Sequence, residues 1–125
     1  MTEKILTKLN HFFNLIITFF AKWRFKKFGK NSVIRYGYSI NHGHQIDVGN
    51  NVFIGEHVWL NAQNWRKDER ASLIIGDRVH ISRFVHINAF QDVIIEDDVM
   101  IGESVFFGDA DHIFSDQNIP IKNQS

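Results

Sequence analysis

Residues 75–87 read Ile75-Gly76-Asp77-Arg78-Val79-His80-Ile81-Ser82-Arg83-Phe84-Val85-His86-Ile87. An isoleucine returns every six positions, with a valine two places ahead of the second and third. A helix repeats at 3.6 residues and a half-buried strand at 2, so a sustained period of six needs another geometry. The pattern also sets Val48, Ile54 and Leu60 before this stretch and Ile95, Ile101 and Phe107 after it, again with Val52, Val58, Val99 and Val105 between. A turn pair follows the first residue of each triplet: Gly49-Asn50, Gly76-Asp77 and Glu96-Asp97. Each unit reads as a short strand plus a corner, and three units close one triangular coil. The expected fold is an all-β solenoid in which aliphatic residues stack on their equivalents one coil away.

A perfect triangular coil of six-residue sides needs 18 positions. Val48 and Ile75 are 27 apart and Ile75 and Ile95 are 20 apart. The first interval therefore carries an insertion, placed at residues 63–72 (QNWRKDERAS), and the second a two-residue extension. Ile34, Ile40 and Ile46 keep the period in an irregular first coil over residues 33–47. The third sides then align as Asn41, Asn61, Asn88 and Gly108. Stacked asparagines read first as amides bonded along a ladder. For Asn88, one coil from the segment described below, a substrate contact is an equal alternative.

Residues 1–30 differ in kind. Ile5, Leu9, Phe12, Ile16, Phe19 and Trp23 recur at threes and fours, a helical stripe flanked by Lys4, Lys8, Lys22, Arg24, Lys26 and Lys27, with Gly29 as the expected stop. The apolar run is too short to span a bilayer, and no small-residue cleavage site follows it. This amphipathic helix is expected to cap the first coil or to lie on an anionic membrane surface. Residues 31–125 make up the β-helix domain. The 125 residues, 44% of them hydrophobic, suffice for one modest core. Fourteen basic and fourteen acidic residues balance, which points away from nucleic acid, and the lack of cysteine excludes disulfides and thiolate zinc sites.

Beyond Phe107 the period stops and the chain reads Gly108-Asp109-Ala110-Asp111-His112, then Asp116 and Pro120-Ile121. A histidine behind two carboxylates, where the chain leaves a rigid coil, is suited to general base work near neutral pH. The coils together with this segment resemble the hexapeptide-repeat acyltransferases, and within them the branch that acetylates sugars and polysaccharides. The resemblance covers about two-thirds of the chain.

It implies a left-handed parallel β-helix, since crossover chirality alone favours the right-handed form. It implies transfer of an acetyl group from acetyl-CoA to a hydroxyl of a sugar or polysaccharide precursor. His112 matches the catalytic base; Asn88, with Asp109 and Asp111, is a candidate for binding the acceptor. It also implies a homotrimer with sites between neighbouring chains, and work in the cytoplasm; on the membrane-surface alternative for the basic helix, the place is the inner face of the membrane. Relatives continue with further coils past the histidine segment, so the chain is expected to be truncated, with acetyl-CoA contacts beyond Ser125 or on a neighbouring chain. The competing expectation is a non-catalytic β-helix that serves as an assembly or binding module.

Seven histidines invite a metal reading, but His80 and His86 fall on different faces of one coil, and no metal site is expected. His42 and His44 read as a solvated corner. Trp59 and Trp65, with Arg66, Lys67 and Arg70, could form a sugar platform or a contact between chains.

Overall fold

The computed structural model describes residues 2–64 and 70–109. Helix α1 (Thr2–Ala21) and a 3-10 turn (Lys22–Arg24) precede twelve short strands. These are β1 (Lys27–Phe28), β2 (Val33–Ile34), β3 (Ser39–Asn41), β4 (Ile46–Val48), β5 (Phe53–Ile54), β6 (Trp59–Ala62), β7 (Ser72–Ile75), β8 (His80–Ile81), β9 (His86–Ala89), β10 (Asp92–Ile95), β11 (Met100–Ile101) and β12 (Phe106–Gly108). Every third strand shares a sheet, giving three parallel sheets in the orders β1-β4-β7-β10, β2-β5-β8-β11 and β3-β6-β9-β12. The chain thus coils through all three sheets in turn, the parallel architecture that a period of six requires.

The registers follow the aliphatic triplets. Val48 pairs with Ile75 and Ile75 with Ile95. Ile54 pairs with Ile81 and Ile81 with Ile101. Leu60 pairs with Ile87 and Ile87 with Phe107. Each side sends two residues inward, the strand residue and the valine two places before it. Val52, Val58, Val79 and Val85 are as buried as Ile54, Leu60, Ile81 and Ile87. A continuous dry column of branched side chains is the main source of stability here.

Three details differ from the sequence expectation. The helix ends at Ala21, and Lys27–Phe28 already form a strand of the coil, in register with Asp47 and Val48. Gly29, expected to stop the helix, instead follows that strand and donates its N–H to the Val48 carbonyl (2.9 Å). The two-residue extension belongs to the general design. Phe28, Val48, Ile75 and Ile95 follow one another at 20, 27 and 20 residues, so the basic coil has 20 residues and the long one inserts seven more. A 3-10 turn (Gly43–Gln45) takes up the extra length in the first coil.

Corners are held by a ladder of side chains. Asn50 Oδ1 accepts the Lys30 N–H (2.8 Å), Asp77 Oδ1 the Asn50 N–H (2.8 Å), and Asp97 Oδ1 the Asp77 N–H (2.7 Å). The residue after each of these adopts a positive φ, at Asn51 (57°), Arg78 (56°) and Asp98 (61°). Gly49 and Gly76 serve a different purpose. A Cβ on Gly49 would come within 2.6 Å of the Gly76 carbonyl oxygen in the coil stacked on it, so glycine provides clearance for the backbone.

The N-terminal edge of the solenoid is covered through polar groups. Parallel pairing uses Val33 N–H and Arg35 N–H toward the next coil, leaving the Ile34 backbone facing the open edge. The Thr18 hydroxyl accepts the Ile34 N–H (3.0 Å) and donates to the Ile34 carbonyl (3.2 Å), standing in for the absent strand. Arg24 Nη2 donates to the Ile40 carbonyl (2.8 Å) at the next side. Thr18→Val keeps the shape and leaves two buried backbone groups unpaired. We expect it to lower the unfolding free energy by about 1–3 kcal/mol, measured by urea denaturation.

Candidate functional site

The asparagine column lies on the outer face of the sheet β3-β6-β9-β12. Strands β6 and β9 turn Leu60, Ala62, Ile87 and Ala89 inward and leave Trp59, Asn61, His86 and Asn88 outside. Two rows result. One stacks rings: Trp59 and His86 at 5.1 Å between centroids, and His86 and Phe106 at 5.6 Å. The other stacks Asn41, Asn61, Asn88 and Gly108 in register.

The amide ladder forms at one step of this column. Asn61 Nδ2 donates to Asn88 Oδ1 (3.3 Å), which orients the Asn88 amide and occupies its acceptor. Asn88 Nδ2 has no hydrogen-bond partner among the described residues. The position above it is Gly108, where an added Cβ would lie 3.2 Å from the Asn88 Cβ. Among the described residues the column ends at Gly108, which places no side chain over the Asn88 amide.

Asp109 closes the last described turn. Its carboxylate accepts the backbone N–H groups of Phe90 (2.5 Å), Gln91 (2.8 Å) and Asp92 (2.8 Å), using both oxygens. The carboxylate thus clamps the third corner of the preceding coil, and any acceptor contact from Asp109 would share these oxygens. The clamp fixes Asp109 itself against the corner of the coil before it. Asp111, His112, Asp116 and Pro120 lie outside the described residues, as do Trp65, Arg66 and Lys67 of the inserted loop.

The remaining histidines are dispersed. His80, in β8, stacks on Phe53 at 4.8 Å, and His86 is in the adjacent sheet. His57 stacks on Phe84 at 5.3 Å and meets Tyr36 edge-on at 5.5 Å. His42 and His44 lie 5.8 Å apart at the first coil's 3-10 turn. No group of three or more histidine or carboxylate side chains converges among the described residues.

The ring row and the Thr18 and Arg24 edge contacts escape a search for motifs. The ring row becomes visible once residues are written 20 or 27 positions apart, because that spacing places one side chain above the next, whereas Thr18 and Arg24 reach backbone groups 16 positions on, along the open edge of the first coil. Comparison with models of known protein families, with curated proteins and with solved structures gives no match.

Proposed function

We propose that the chain is an O-acetyltransferase built on a left-handed parallel β-helix of hexapeptide repeats. It would move an acetyl group from acetyl-CoA to a hydroxyl of a sugar or polysaccharide precursor. The observation that carries this reading is the end of the asparagine column. The Asn88 amide, oriented by Asn61 and with no partner on Nδ2 among the described residues, lies in register with Gly108, four residues ahead of His112 in the chain.

In this reading the Asn88 amide N–H binds an acceptor oxygen, and the His112 imidazole takes the proton of the attacking hydroxyl. The hydroxyl oxygen adds to the thioester carbonyl carbon, the C–S bond breaks, and the departing CoA thiolate recovers a proton from the imidazolium. Asp109 contributes by anchoring the segment that bears Asp111 and His112. Asp111 orients the imidazole or the acceptor. Acetyl-CoA contacts would come in part from a neighbouring chain of a homotrimer. The reaction would take place in the cytoplasm, where acetyl-CoA and sugar precursors are at hand.

Release of free thiol from acetyl-CoA, with a panel of sugar acceptors, tests the proposal. The chain has no cysteine, so the signal reports CoA alone. Acceptor-dependent release that disappears in His112→Ala supports it; release unchanged by that substitution overturns the mechanism with His112 as base, and no release with any acceptor overturns the transferase reading and favours a non-catalytic assembly module. Asn88→Ala is expected to raise the acceptor KM roughly tenfold, the equivalent of about 1.4 kcal/mol for one lost hydrogen bond, with little change in the KM for acetyl-CoA.

A further inference from the structure

Helix α1 is mounted on the solenoid the wrong way round for a packing helix. An amphipathic helix of a globular domain normally buries its apolar stripe. The residues that α1 buries are Asn14, Thr18 and Ala21, with Ile17 half-buried beside them, and Asn14 Oδ1 has no hydrogen-bond partner among the described residues. The apolar side points away from the coil: Leu9 is 58% exposed, Phe20 67% and Trp23, just past the helix, 75%, with Phe12, Phe13 and Ile16 also exposed.

At 3.6 residues per turn these side chains and their neighbours occupy a continuous arc of about 160° along a helix roughly 30 Å long. The hydrogen bonds of Thr18 fix the orientation, because turning the apolar arc inward would break both of its bonds to the Ile34 backbone. No helix among the described residues is long and apolar enough to cross a membrane, so the arc is not a spanning segment.

Charge identifies what fits against it. Residues 2–30 hold seven basic side chains and one acidic, whereas the rest of the chain holds seven basic and thirteen acidic. The basic groups sit at both ends of the arc, Lys4 and Lys8 in its first turns and Lys22, Lys26, Lys27 and Lys30 after its last. Lys22 Nζ lies 5.2 Å from the Phe19 ring and 5.3 Å from the Trp23 ring, so the cation runs along apolar surface with its head at the border. An outward apolar arc with cations and tryptophan at its margins is complementary to an anionic bilayer surface, which offers an acyl layer and negative headgroups together.

We infer that α1 is an interfacial helix that docks the solenoid on anionic lipid, with its polar edge bonded to the first coil and its apolar arc in the headgroup boundary. The inference does not depend on the chemistry proposed above. Co-sedimentation of the full chain with vesicles tests it, using phosphatidylcholine alone and phosphatidylcholine enriched in phosphatidylglycerol.

We expect at least tenfold stronger partition to the anionic vesicles, weakening as salt is raised. The double substitution Leu9→Asp with Phe20→Asp should abolish it, and Lys26→Glu with Lys27→Glu should remove the preference for anionic lipid. All four side chains are exposed, and circular dichroism checks that each variant keeps its fold. A parent chain that stays in solution with both vesicles overturns the inference, as does a Leu9/Phe20 variant that sediments like the parent. An oligomer that dissolves in the Leu9/Phe20 variant without any vesicle binding also overturns it, and assigns the arc to a second copy of the chain.

Discussion

Ile81→Ala lowers the unfolding free energy by about 3–5 kcal/mol, the upper part of the range for deleting a buried branched side chain. Ile81 is fully buried, at 0% exposure, and its register partners are Ile54 on one side and Ile101 on the other. The cavity has little freedom to collapse. Backbone bonds from Phe53 to Val79, from His80 to Val99 and from Ser82 to Ile101 hold the coils at a fixed separation above and below it. In a domain whose total stability is of the order of 5–15 kcal/mol, this one change removes a large share. Ile94→Ala is the control. It removes the same atoms from a strand of the same solenoid, but Ile94 faces outward at 65% exposure, and its loss should cost under about 1 kcal/mol. Urea titration of the two variants measures the contrast. Equal costs would mean that the aliphatic column is not what holds the coils together.

The second large effect is on turnover. His112→Ala should reduce acceptor-dependent CoA release by roughly 10²–10⁴-fold, the usual contribution of a positioned general base. Its urea midpoint should match that of the parent chain, because the fold rests on the columns between Phe28 and Phe107. His57→Ala, which removes a ring stacked at a corner, should leave turnover unchanged. Loss of turnover in both variants would point to a general effect on structure and not to the base.

The columns were legible because burial imposes its period directly. Ile54, Ile81 and Ile101 share a register, and no residue with a polar side chain could occupy their inward position without leaving unpaired groups in the core. The corners were legible only in part. Gly49 and Gly76 stand out in the sequence, but the positive φ falls two residues later, on Asn51 and Arg78. Glycine is placed there by the approach of the next coil, a long-range contact that a local turn rule does not contain.

The start of the coil was hidden for a related reason. Trp23 carries the helical stripe past Ala21, while pairing between β1 and β4, set 20 residues away, draws Lys27 and Phe28 into a strand. The sequence also displays an apolar face on α1 without saying which way it turns. The bonds of Thr18 to the Ile34 backbone decide that, and they are invisible until the open edge of the first coil is known. At the site, the Asn88 column could be aligned from spacing alone. The occupation of Asp109 by three backbone amides could not, because it depends on a turn one coil earlier.

The corner ladder has a direction. Asn50, Asp77 and Asp97 each accept a backbone N–H from the coil laid down before their own, and Asp109 does the same for Phe90, Gln91 and Asp92. A nascent chain emerges from the ribosome N-terminus first, at a pace of about 5–20 residues per second. Each newly delivered turn therefore brings the clasp for the turn already made, and nothing at these corners has to wait for the end of synthesis. The structure is written so that it can be fastened in the order in which it is spelled.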